Sequence, residues 1–85
     1  MKKFTDLTMN YRYTVISYKP VKTPYGDSYI LMCTNNYNYD EVFEMFATPG
    51  IADYIRIYEP IKKFAFTFTV KQSSKYKYAE IDKYS

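Results

Sequence analysis

The chain has 85 residues, and its 12 basic and nine acidic side chains give a net charge of +3. It has no histidine and one cysteine, which excludes Cys/His zinc sites, Ser/His and Cys/His catalytic pairs and an internal disulfide. Two glycines are too few for a Gly-rich phosphate loop. We therefore expect residues 1–85 to form a single non-catalytic domain that needs no metal or cofactor.

Aromatic residues dominate the apolar part of the chain, with 12 tyrosines and six phenylalanines. Such residues favour β-sheets, because their rings pack well on a pleated, half-buried surface. No apolar run approaches the roughly 20 residues of a membrane-spanning helix, and polar residues follow Met1 where a signal peptide would need an apolar core. The lone Cys33 suits a reducing compartment. We expect an intracellular protein, of the nucleus or cytoplasm, without a membrane partner.

The first strong pattern is a hairpin over residues 11–34. Apolar residues at odd positions, such as Tyr13 and Val15, predict a strand that ends near Lys19. Their phase changes at residues 16–18, which predicts a β-bulge. Residues 24–27 have turn chemistry, with proline, glycine and aspartate, and the apolar run at 29–33 predicts the second strand.

Residues 41–47 fit two structures. As a helix, they would begin with Asn38 as the cap and Glu41 closing a capping box. As a strand, they alternate apolar and polar side chains. Thr48 followed by Pro49 is typical of a helix start, which is awkward directly after another helix. We therefore expect a third strand at about 41–47 and a helix at about 49–58. Its buried face would hold three residues: Ile51, Ile55 and Tyr58.

A proline at position 60 ends this helix, and residues 63–70 then alternate as the clearest strand of the chain. One face of that strand would be buried and consists of Phe64, Phe66, Phe68 and Val70. A polar turn at 72–75 and a fifth strand at 76–81 follow. The order β-β-β-α-β-β predicts a mainly β domain: a small five-stranded barrel with one short helix, the arrangement of the OB fold.

A family resemblance agrees with this fold. It rests mainly on Val21-Lys22-Thr23-Pro24-Tyr25-Gly26-Asp27-Ser28-Tyr29-Ile30-Leu31. This stretch resembles the first hairpin, V-K-T-x-Y-G-x-x-Y-I-L, of small single-stranded-DNA-binding OB-fold proteins of large insect DNA viruses, which relate to the replication protein A type. Residues 43–55 resemble the strand-to-helix step that follows, and the whole resemblance covers about residues 11–70. It implies a viral protein that binds single-stranded DNA during DNA replication.

The candidate binding residues lie around two loops. An OB fold binds oligonucleotides between its β1–β2 and β4–β5 loops, where basic groups hold the backbone and aromatic rings stack on bases. Both loops of this chain combine lysine with tyrosine. The predicted nucleic-acid-binding residues are Arg12, Lys19, Lys22, Tyr25, Lys71, Lys75, Tyr76, Lys77 and Tyr78.

Each of these residues also has a purely structural interpretation. Tyr76 and Tyr78 fit the role of cross-strand partners that cover the phenylalanine-rich strand, and Tyr25 fits stacking on its neighbouring strand. Lysines on edge strands also protect a sheet against aggregation. Asp40, Glu41 and Glu44 form an acidic cluster that suits a solvated flank better than a metal site. The alternative function is protein–protein interaction, including homo-oligomerisation, through a tyrosine-rich sheet edge.

Overall fold

A five-stranded antiparallel sheet and one short helix form the fold. The computed structural model describes residues 1–58 and 65–82, apart from the side chain of Tyr39. The elements after a 3-10 turn at Phe4–Asp6 are β1 Arg12–Thr23, β2 Gly26–Asn35, β3 Asn38–Phe46, α1 Pro49–Tyr58, β4 Phe66–Gln72 and β5 Lys77–Ile81. Within these ranges, the predicted mainly β class, the five strands and the α-helix between the third and fourth are confirmed.

The sheet has the order β3-β2-β1-β4-β5, so β1 is its central strand. The β1–β2 register shifts between Val15 and Ser17, which confirms the predicted bulge. β1 continues past the predicted end at Lys19 and includes Pro20. A proline is tolerated there because, among the described residues, β4 pairs with Arg12–Val15 and not with Pro20, so no described strand needs a hydrogen bond from this position on that side.

Residues 38–46 form a strand, and the helical interpretation of 41–47 is wrong. β3 pairs with β2 and alternates as a half-buried strand should: Phe43 and Met45 are buried, whereas Val42, Glu44 and Phe46 are exposed.

The helix has the predicted bounds of 49–58. Thr48 caps it, since its Oγ1 accepts a hydrogen bond from the Ile51 amide at 3.3 Å. Ile51 and Ile55 are buried as predicted, but Tyr58 is 47% exposed. The buried face runs instead toward Tyr54, whose ring lies 4.9 Å from that of Phe66. Within the described ranges, no helix has the length and apolar character needed to cross a membrane.

The core lies between the sheet and α1, which contacts β2 and β5. Phe66, Phe68 and Val70 are buried as predicted, whereas the prediction for Phe64 and the helix-ending role of Pro60 lie outside the described residues. The buried apolar residues are Leu7, Tyr13, Val15, Leu31, Cys33, Phe43, Met45, Ile51, Ala52, Ile55, Phe66, Phe68 and Val70.

The N-terminal segment, residues 2–7, contacts both outer strands of the sheet. The Lys2 amide donates to the Glu44 carbonyl of β3 at 2.9 Å. On the other side, the Lys77 ammonium of β5 donates to the carbonyls of Thr5 and Leu7 at 3.2 and 3.1 Å. Leu7 itself is buried. This segment therefore ties β3 to β5, although the two strands are at opposite ends of the hydrogen-bonded order.

Candidate nucleic-acid interface

The β1–β2 turn presents one tyrosine to solvent. Thr23 Oγ1 donates to the Gly26 carbonyl at 2.7 Å and accepts from the Tyr25 amide at 3.2 Å. Gly26 has φ +119°, a conformation that glycine adopts without a steric cost. This tight turn leaves Tyr25 99% exposed. Stacking of Tyr25 on a neighbouring strand is therefore wrong, and both faces of its ring are open.

The β4–β5 turn is held by Ser73. Its amide donates to the Tyr76 carbonyl at 2.9 Å, and its hydroxyl accepts from the amides of Lys75 and Tyr76, both at 3.3 Å. Tyr76 is 64% exposed and Tyr78 is 39% exposed, with their rings edge-on and the centroids 6.3 Å apart. The turn thus presents a second aromatic surface beside Lys75.

Tyr78 lies on the outward face of the sheet. In β5 its neighbour Ala79 packs against the core, as does Ile81. Because side chains alternate between faces along a strand, Tyr78 points away from the core. It stands opposite Lys71 of β4, not against the buried phenylalanines. Tyr78 is therefore a cross-strand partner of the phenylalanine-rich strand, as its structural interpretation predicted, but it lies on the face opposite the buried phenylalanines.

The two turns adjoin the start of α1 from different sides. One groove, of about 640 Å³, lies between the β1–β2 turn and α1, and its lining includes Tyr25, Pro49 and Arg56. A second groove, of about 530 Å³, is lined by the start of α1 and by β5, including Pro49, Tyr76 and Tyr78. Pro49 borders both grooves, so the start of α1 separates the two predicted clusters.

Four of the predicted lysines have no ion pair with any described residue. Lys19, Lys22 and Lys75 are exposed, and Lys71 is half-buried. In residues 1–58 and 65–82, none of the four forms an ion pair. Their charges are therefore available to an anionic ligand such as a phosphate backbone.

Arg12 and Lys77 differ from these four because each already has partners. Arg12 Nε lies 3.1 Å from a carboxylate oxygen of Asp82, and that carboxylate also accepts a hydrogen bond from Thr67 at 2.7 Å. Lys77 is bound to the carbonyls of the N-terminal segment. Because these two cations already have partners within the fold, the case for an interface rests on the other seven predicted residues.

Two further residues of the first groove were missed by the sequence analysis. Phe46 is 49% exposed and lines the groove beside Arg56. Arg56 pairs with Asp53, and its Nη2 lies 3.5 Å from the Asp27 carbonyl. The strand alternation at 41–47 contained the signal for Phe46, because it places this residue on the face opposite Phe43 and Met45. Arg56 carried no local signal, since only packing brings α1 beside the hairpin.

A further pair of exposed rings was also missed. Tyr11 and Tyr37 have ring centroids 4.7 Å apart and are 37% and 69% exposed. They come together because the Asn36 amide of the β2–β3 turn donates to the Arg12 carbonyl at 3.0 Å. Such a pair adds aromatic surface at the start of β1.

Neither an activated thiol nor a metal-binding cluster is found among the described residues. Burial raises the pKa of the Cys33 thiol from its ordinary 9.0 to about 12, so the thiol stays protonated at neutral pH and is not a nucleophile. In the same ranges, no three His, Cys, Asp or Glu residues are grouped to hold a metal ion. What the arrangement offers is stacking on exposed rings and attraction by free lysines.

Comparisons with models of known protein families, with curated proteins and with solved structures give no match. The function is therefore argued from the geometry of this surface.

Proposed function

We propose that this protein binds single-stranded nucleic acid, with single-stranded DNA as its ligand, and catalyses no reaction. The observation that carries the proposal is the position of two sets of exposed tyrosines on either side of the start of α1. Tyr25 lines one groove, and Tyr76 and Tyr78 line the other. Free lysines accompany both sets.

The proposed chemistry divides between rings and charges. Bases of a single strand are unpaired and can stack on exposed aromatic rings, and each stacked base contributes roughly 1–3 kcal/mol. Lys19, Lys22, Lys71 and Lys75 then attract the phosphates, which supply affinity without sequence preference. A duplex keeps its bases stacked inside and cannot use the tyrosines in this way. Preference for a single strand is therefore the defining property.

The fold is consistent with an OB-like barrel. The order β3-β2-β1-β4-β5 with a helix between β3 and β4 agrees with a five-stranded Greek-key barrel opened between β3 and β5. The N-terminal segment contacts both of those strands. Together with the residues at 21–31, this arrangement supports our proposal that the protein is of the viral single-stranded-DNA-binding type and acts in DNA replication in the nucleus or cytoplasm of a host cell.

The test is a titration of the protein into labelled oligo-dT, oligo-U and duplex DNA, followed by fluorescence anisotropy at low and high salt. We expect saturable binding to the single strands at about 50 mM salt, weaker binding to the duplex and a marked loss of affinity as salt rises. Oligo-U reports whether RNA is accepted as well as DNA. Absence of binding to every single strand at low salt, or a preference for the duplex, would overturn the proposal.

A further inference from the structure

The outward face of β1, β2 and β3 is apolar at its centre. Paired residues of neighbouring strands lie side by side on this face: Ile30 of β2 lies beside Phe46 of β3, and Met32 of β2 lies beside Glu44 of β3. Val42, Phe46 and Ile16 are 53%, 49% and 48% exposed. The apolar residues of this face, none of which packs against the core, are Ile16, Ile30, Met32, Val42 and Phe46.

Two opposite charges flank this centre. Lys19 lies on β1 beside Ile30, and Glu44 lies on β3 beside Met32. Since neighbouring strands are about 4.8 Å apart, β2 separates the two charges by roughly 10 Å across the sheet. In residues 1–58 and 65–82, neither forms an ion pair. The face therefore has a positive charge on its β1 side, a negative charge on its β3 side and apolar residues between them.

We propose that this face binds a second copy of the same chain, in a two-fold symmetric dimer. A two-fold axis parallel to β2 places β1 of one copy over β3 of the other. Lys19 then lies two residues, or about 7 Å along the strand, from the position of the partner copy's Glu44. The side chains of lysine and glutamate are long enough to bridge this distance. Symmetry makes this pair twice, and Ile30 and Met32 pack against their own counterparts between the two pairs.

Charge complementarity favours a second copy over other occupants. The face complements itself, because each of its two charges meets its opposite under the same rotation. A phosphate backbone laid across β3 would be repelled by the carboxylate of Glu44, so a phosphate can reach Lys19 only from the β1 side. The dimer withdraws Lys19 from the lysines that attract phosphates. Three strands over the five residues 42–46 span only about 14 by 17 Å, well below the roughly 800 Å² per partner of a standard interface. The dimer is therefore weak and forms at high protein concentration.

Sedimentation equilibrium of the wild-type protein and of charge-reversed variants tests this dimer. We expect the wild-type mass to rise with concentration, and Lys19→Glu or Glu44→Lys alone to weaken association at least about tenfold, since each places like charges together twice. A mixture of the two single variants restores both pairs and should give a heterodimer. The double variant Lys19→Glu/Glu44→Lys should dimerise as the wild type does.

The outcomes separate this proposal from the proposed function. Lys75→Glu changes the same charge away from this face, so it should weaken oligonucleotide binding and leave self-association unchanged. Circular dichroism checks that every variant is folded. A wild-type protein that stays monomeric at high concentration, or a mixture of single variants that does not associate, would overturn the dimer whatever the oligonucleotide result. A Glu44→Lys variant that binds the oligonucleotide more tightly but has the same average molecular mass in solution as the wild type would also overturn the dimer. It would assign this face to nucleic-acid binding.

Discussion

Tyr25 is the residue whose role is most directly measurable, because its ring touches almost nothing in the folded chain. At 99% exposure, Tyr25→Ala removes no packing, so the free energy of unfolding should not change. Loss of one stacking platform should weaken binding to oligo-dT by roughly 1–3 kcal/mol, or about 5- to 150-fold. Fluorescence anisotropy measures the affinity and urea denaturation the stability.

The matched control for this change is Tyr25→Phe, which keeps the ring and should keep most of the affinity. Equal affinity for the alanine variant and the wild type would mean that Tyr25 does not stack on a base.

The two glycines allow a paired test of backbone strain. Gly26 has φ +119°, whereas Gly50 lies in the first turn of α1, and a Cβ at either position meets nothing within 4 Å. Gly26→Ala should therefore destabilise the protein by about 1 kcal/mol through strain alone. Gly50→Ala should stabilise it by about 0.5 kcal/mol, because alanine is the better helix former. Urea denaturation measures both changes, and equal effects of the two substitutions would refute the assignment of strain to Gly26.

At the scale of elements, local patterns predicted most of the strands and the helix. The bulge, the strand at β3 and the bounds of α1 each depend on side-chain alternation or on capping residues within a few positions. Tyr58 shows the limit of such patterns. Its spacing from Ile55 suits a buried face, yet the core lies toward Tyr54, because the position of β4 decides which side of α1 is covered.

Lys77 tests how the N-terminal segment is held. Lys77→Met removes the donors to the carbonyls of Thr5 and Leu7, so it should destabilise the protein by about 1 kcal/mol. It should also speed hydrogen exchange of the Lys2 amide, which bonds β3 at the far end of the segment. Urea denaturation and NMR-detected exchange measure the two effects.

Lys75→Met is the control for Lys77, since this exposed lysine has no ion pair in the described part of the chain. It should leave stability unchanged and lower oligonucleotide affinity more than Lys77→Met does. The reverse ranking of affinities would assign the role in binding to Lys77.

At the scale of the whole molecule, the free lysines set the salt dependence of binding. If Lys19, Lys22, Lys71 and Lys75 each neutralise one phosphate of a single strand, the logarithm of the binding constant should fall against the logarithm of salt with a slope of about −3. Lys75→Met should make that slope shallower by about 0.7. Anisotropy titrations over a series of salt concentrations measure it. A slope near zero would show that binding, if present, does not use these lysines.

The amino-acid sequence by itself determined the number and order of the strands, the bulge in β1 and the limits of α1, because these depend on residues close together along the chain. It also identified both turns that combine tyrosine with lysine. Only the tertiary structure decided which predicted cations have partners among the described residues. Arg12 meets Asp82 and Lys77 meets the N-terminal segment, contacts between residues about 70 positions apart that no local pattern contains. The same long-range packing brings the two turns to either side of the start of α1, where Pro49 borders the groove beside each turn.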